Sequence, residues 1–133
     1  MHKPALVAAL VALAWLGGCS RAGSGDPGEA LLDHLVALAE VAEARGDDCQ
    51  AALGAVQAYL GEHRAEIEAL KAALVERTRA QAPEERARQT ERFKAHAEER
   101  MTRTMASLMA LGTRCPAQVP ELEQAMSFAD IAP

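Results

Sequence analysis

Two heptad runs, mirrored about a proline, constrain this chain more than any other feature. From Cys49 the pattern steps by four and three through Leu53, Val56, Leu60, His63, Ile67, Leu70 and Leu74. Running back from Cys115, the same spacing meets Leu111, Leu108, Thr104, Met101, Ala97, Lys94 and Thr90. The runs are symmetric about residue 82, where the chain reads Gln81-Ala82-Pro83, so position 53 falls opposite 111, 56 opposite 108, 60 opposite 104, 63 opposite 101 and 67 opposite 97. A repeat of 3.5 residues marks helices that share a seam, and proline is tolerated in the first turn of a helix but not inside it. The pattern predicts two long helices folded back on each other at Pro83, with a cysteine at each far end.

Composition agrees with an all-α fold. Ala, Leu, Glu and Arg dominate, β-branched residues are few, and aromatic residues make up only 3% of the 133 residues, which favours helices and argues against a sheet. The length allows one domain. Asp26-Pro27 with Glu29 three positions after the cap reads as a helix start, and Arg45-Gly46 as a stop. Asp47, with Gln50 following, is the expected cap of the next helix, and Gly112 with Pro116 ends the third. The expected helices are about 27–45, 48–80, 84–112 and 120–128: a long antiparallel helical hairpin with a shorter N-terminal helix and a short C-terminal one. Gly54 and Gly61 stand inside the second helix, each costing about 1 kcal/mol relative to alanine, a cost that close approach of a neighbour would explain.

The first residues read differently. Met1-His2-Lys3 is a short basic start, Pro4 to Leu16 is an uncharged apolar run, and Leu16-Gly17-Gly18-Cys19 closes it with small residues and a cysteine. The run is short for a membrane span and suits the core of a signal peptide. Its ending resembles the lipobox of bacterial lipoprotein precursors. That resemblance covers residues 1–19 only; an ordinary secretory leader is the plainer alternative. It implies removal of residues 1–18 and a diacylglyceryl thioether on the Cys19 sulfur, so that acylated Cys19 holds the chain on a lipid bilayer. Residues 19–25 would form a flexible tether, and 26–133 the single helical domain. The resemblance also implies an envelope location, and Ser20 after the cysteine fits the periplasmic face of the outer membrane.

With Cys19 given to lipid, Cys49 and Cys115 remain, and in the oxidising compartment implied by export such a pair forms a disulfide. Loss of Lys3 leaves 13 basic against 19 acidic residues, a net charge of −6. An acidic domain without a basic block excludes a nucleic-acid binder.

The helix lengths predict where the hairpin is covered. A 33-residue second helix would extend about 50 Å and a 19-residue first helix about 28 Å. The first and last helices would then cover only the half near the cysteines, leaving residues 64–100 as a bare two-helix arm open to a protein partner.

Site chemistry is sparse. Met101, Met105 and Met109 recur on one helix face and His63 is expected to face Met101; thioether and imidazole suit copper(I), and a His/Met pair can also ligate haem. The competing reading is flexible methionine filling a loose core. His96 is expected near Glu68 across the seam, and His63-Glu66 forms an i, i+3 pair. No serine lies in a G-x-S-x-G setting and no glycine-rich phosphate loop is present, while Asp47-Asp48 and Glu84-Glu85 sit at helix starts, where the macrodipole accounts for them. The expectation is a lipid-anchored structural or protein-interaction module with no catalysis and no cofactor, with a periplasmic copper carrier or a holdase-type chaperone as alternatives.

Overall fold

The structure is a computed structural model that describes residues 26–127. Cys19, the leader, the tether and Phe128 lie outside the described residues. Every regular element among the described residues is helical: α1 (Pro27–Glu43), α2 (Cys49–Ala80), α3 (Pro83–Arg114), a 3-10 turn (Pro116–Gln118) and α4 (Val119–Met126). None of these helices is long and apolar enough to cross a membrane.

The helix ends follow local chemistry. Asp26 caps α1, its carboxylate accepting from the Gly28 amide at 2.7 Å, with Pro27 in the first turn. The helix stops at Glu43, and the chain turns through Gly46 at φ +58°, a left-handed conformation that glycine adopts without steric cost. Asp48, not Asp47, caps α2, accepting from the Ala51 amide at 3.0 Å. Asp47 is still part of the turn after α1, and its carboxylate lies 3.9 Å from Arg114. Pro83 opens α3 as expected. Gly112 does not end it: α3 continues to Arg114, and the break comes at Cys115 (φ −124°, ψ 58°). Cys115 precedes Pro116, whose ring excludes the α conformation from the residue before it.

Cys49 and Cys115 form a disulfide with their α-carbons 5.5 Å apart, joining the start of α2 to the residue that follows α3. Of the heptad positions, Leu53, Val56, Leu60 and Ile67 on α2 and Ala97, Thr104 and Leu111 on α3 are buried, Leu70, Leu74 and Leu108 are half-buried, and Thr90, Lys94 and Met101 are exposed. Their principal neighbour differs from expectation. The most extensive backbone packing is of α1 against α2 and then of α1 against α3, while α2 and α3 pack directly on each other only sparsely. Leu31, Leu38 and Ala42 of α1 share one core with Leu53, Val56, Leu60, Ile67, Leu111 and Cys115, and Leu122 of α4 closes its disulfide end. The apolar stripe of α1, Leu31, Leu35, Leu38 and Ala42 with Leu32 and Ala39 beside it, thus serves two neighbours at once.

Polar contacts show how far α1 reaches. Along α1, Glu29, Asp33 and Glu43 meet His96, Arg100 and Ser107 of α3 in rising order. On α2 the order falls: Asp26 meets Arg77 at 2.9 Å, and His34 meets Tyr59 and Glu66. α1 therefore reaches along one face of the expected arm as far as Arg77 on α2 and His96 on α3, while within 64–100 only Ile67 and Ala97 are buried and most other residues stay exposed. Helix length alone underestimates this reach, because a long side chain such as Arg77 leans back toward the N-terminus of its own helix. Gly54 and Gly61 have nothing within 4 Å of where a β-carbon would stand, so neither marks a close approach.

Candidate functional site

Two features of α1 meet α2 and α3 with chemistry beyond packing. The first is a polar cluster on the α1–α2 face. His34 lies in sequence between Leu31, Leu35 and Leu38, on the apolar side of α1, and only 13% of its side chain is exposed. A histidine there must find polar partners on the neighbouring helix. Its Nδ1 is 2.7 Å from the Tyr59 hydroxyl, and its Nε2 is 3.5 Å from Glu66 Oε1. His63, one helical turn from Tyr59, places its Nδ1 3.6 Å from Glu66 Oε2. The three rings stack loosely, with centroids 4.3 Å apart for Tyr59 and His63 and 5.2 Å for His34 and His63. Burial, followed by the negative charges of Glu66, Glu62 and Asp33, pushes the Tyr59 phenol above its ordinary 10.0; it stays protonated through the physiological range.

The spacing of α2 alone supplies Tyr59, His63 and Glu66 on one face, and the i, i+3 pair His63-Glu66 was readable in the sequence. His34 was not singled out, although a lone histidine inside a leucine stripe was the signal that could have found it.

The second feature is an apolar cleft of about 340 Å³ where the first turns of α1, the last turns of α2 and the first turns of α3 converge. Leu31, Leu35, Leu74, Phe93 and Met101 line it, and Arg77 and Arg86 stand on its rim. The Arg77 guanidinium is held by Asp26. In the orientation that satisfies its amide, the Gln89 side-chain oxygen also accepts from Arg77 Nη1 and Nη2 at 3.2 and 3.3 Å. Arg77 Nε is buried without a hydrogen-bond partner. Arg86 pairs with no acidic group among the described residues.

The methionine stripe is not assembled with His63. Met101, Met105 and Met109 are 37%, 46% and 70% exposed on α3, while His63 packs against the His34 and Tyr59 rings. A seam position facing Met101 requires α2 and α3 in direct contact there, and α1 lies against both instead. His96 likewise meets Glu29, at 3.9 Å, and Glu68 meets Arg64, so the expected His96–Glu68 pair is replaced by contacts to α1 and along α2.

No protein-family model matches this chain, nor does any curated protein or solved structure compared with it. The functional reading rests on the residues themselves.

Proposed function

We propose that this chain is an acyl-anchored envelope lipoprotein whose helical module is a protein-interaction unit, with the apolar cleft as its working surface. The observation that carries the reading is the cleft itself, an open concavity of about 340 Å³, within the size range of built binding sites. Its occupant is an apolar segment of a partner protein flanked by acidic residues. Leucine, phenylalanine and methionine side chains accept the apolar anchor, and Arg86 offers an uncommitted positive charge at the rim to orient it. In this reading α2 and α3 run as a long antiparallel hairpin stapled at its base, and the lipobox-like Leu16-Gly17-Gly18-Cys19 supplies the anchor on the periplasmic face of the outer membrane. The reading includes no catalytic step.

The test is site-specific photocrosslinking in the native envelope from Thr90, an exposed residue of the cleft wall, with Thr113 on the exposed end of α3 as control. The captured peptide, identified and synthesised, should bind the purified chain. Leu74→Arg in the chain, or removal of the peptide's acidic residues, should weaken that binding at least about tenfold, one decade being about 1.4 kcal/mol. Binding indifferent to both changes removes the cleft from the reading. Capture of many unrelated chains would point to a holdase instead. The anchor is tested separately: Cys19→Ala should leave unprocessed precursor and abolish acylation, and unchanged processing refutes it.

A further inference from the structure

We propose that His34 Nε2, His63 Nδ1 and a carboxylate oxygen of Glu66 form a binding site for one divalent transition-metal ion of the zinc class, bridging α1 and α2. The donor atoms all lie within 4.8 Å of one another. In a tetrahedral site with bonds of about 2.0–2.1 Å, ligand atoms stand about 3.3 Å apart. His34 Nε2 lies 3.5 Å from Glu66 Oε1 and His63 Nδ1 3.6 Å from Glu66 Oε2, close to that edge. Since no pair in the set exceeds 4.8 Å, side-chain rotation that draws the donors together by up to about 1.5 Å would complete it.

The outer contacts favour the same arrangement. A metal-ligating imidazole characteristically donates its second ring N–H to an oxygen, which fixes its tautomer. His34 has that partner: in the tautomer whose Nδ1–H donates to the Tyr59 hydroxyl, 2.7 Å away, Nε2 carries its lone pair 3.5 Å from Glu66 Oε1. Glu66 is 62% and His63 31% exposed at their side chains, so water can reach the ion and complete its coordination. The acidic groups Asp33 and Glu62 act on the same neighbourhood and favour a dication. Two imidazoles and a carboxylate suit zinc, cobalt(II) and their neighbours, whereas thioether ligands select copper(I). The site is thus separate in both residues and chemistry from a methionine stripe.

The experiment uses the full-length chain carrying Cys19→Ser, which removes the thiol outside the disulfide, titrated with Co²⁺ and then competed with Zn²⁺. One equivalent of Co²⁺ should give the intense visible absorption of a tetrahedral site, and Zn²⁺ should bleach it. His63→Ala and Glu66→Gln, both at solvent-accessible positions, should each weaken Zn²⁺ binding at least about tenfold with helicity unchanged by circular dichroism. Tyr59→Phe should weaken it by roughly tenfold through loss of the orienting contact. Replacing Met101, Met105 and Met109 together by leucine should leave it unaltered. Absence of a bound equivalent overturns the proposal. Binding that survives both His63→Ala and Glu66→Gln, or that is lost only with the methionines, overturns it as well.

Discussion

Removing the Cys49–Cys115 disulfide is the sharpest perturbation this fold offers. The bond closes a loop with a sequence separation of 66. In the chain-entropy treatment, opening a loop of that length frees the unfolded ensemble by about 4 kcal/mol. Helical domains of about 100 residues have total stabilities of roughly 5–15 kcal/mol, so the bond accounts for a quarter or more of what holds this one together. At about 4 °C per kcal/mol for a domain of this size, the reduced protein should melt roughly 16 °C below the oxidised one.

The measurement is urea unfolding followed by far-ultraviolet circular dichroism, with and without reductant, and again on Cys49→Ala/Cys115→Ala. Reduction keeps the composition constant. The double variant also removes the side-chain sulfur of Cys115, a residue 1% exposed in the core shared with Leu111 and Leu122, so it should be the less stable of the two. Because the effect lies mainly in the unfolded chain, the denaturant slope should rise when the loop opens, as a less constrained unfolded state exposes more surface. A stability loss below about 1 kcal/mol, with an unchanged slope, would refute the argument that loop closure is the bond's main contribution.

Other expectations follow from single positions. Gly54→Ala and Gly61→Ala meet open space and should each stabilise by about 1 kcal/mol, whereas Gly46→Ala, at φ +58°, should destabilise by roughly 1 kcal/mol; urea midpoints decide both. Asp26→Asn keeps an amide oxygen for the Gly28 N–H and should cost under about 1 kcal/mol, while Asp26→Ala also loses the cap and should cost about 1–2 kcal/mol, read by the same assay. Tyr59 is the only tyrosine, and its phenol is raised by burial and by Glu66, Glu62 and Asp33. The unfolded chain therefore releases this proton first, so this contribution is intact below about pH 9 and is lost as pH rises through 10.0 toward the folded-state value. Absorbance titration of the phenolate measures the shift, and Tyr59→Phe should remove that part of the alkaline slope.

Much of this architecture was legible in the sequence. The heptad positions named which faces are buried, because burial of one stripe is what the repeat encodes. Asp26, Pro27, Gly46 and Pro83 announced their roles through backbone chemistry that hardly depends on context. What was not legible was the neighbour. A repeat reports that Leu60 and Thr104 are buried but not what covers them, and the direct α2–α3 seam assumed for them gave way to α1 packed against both helices. The wide stripe of Leu31, Leu32, Leu35, Leu38, Ala39 and Ala42 did carry that information, since a two-sided stripe needs two partners. The polar cluster escaped for a related reason: His34 joins His63 and Glu66 only once α1 is docked, and its separation of 29 residues from His63 matches no local motif. Gly54 and Gly61 misled because a glycine in a helix signals a permitted approach, not an actual one.

The docking of α1 therefore decides both features, and its energy can be apportioned. Its ion pairs to α3 are exposed: Glu29 with His96 at side-chain exposures of 47% and 82%, and Asp33 with Arg100 at 66% and 45%. Such pairs contribute about 0–1 kcal/mol each and are screened by salt. The leucines are different. Leu31, Leu32 and Leu38 are 7%, 4% and 2% exposed, and each fully buried leucine contributes roughly 1.5–3 kcal/mol. Leu38→Ala should then cost about 2–5 kcal/mol once the cavity it leaves is included, while Asp33→Ala should cost less than about 1 kcal/mol, with the difference persisting at high salt. Equal costs would mean that the ion pairs, rather than the apolar stripe, hold α1 in place. On the leucine-dominated account, the ion pairs set the register of α1 along α3. The stripe holds it there, bringing His34 within 3.5 Å of Glu66 and setting Leu31 and Leu35 into the wall of the cleft.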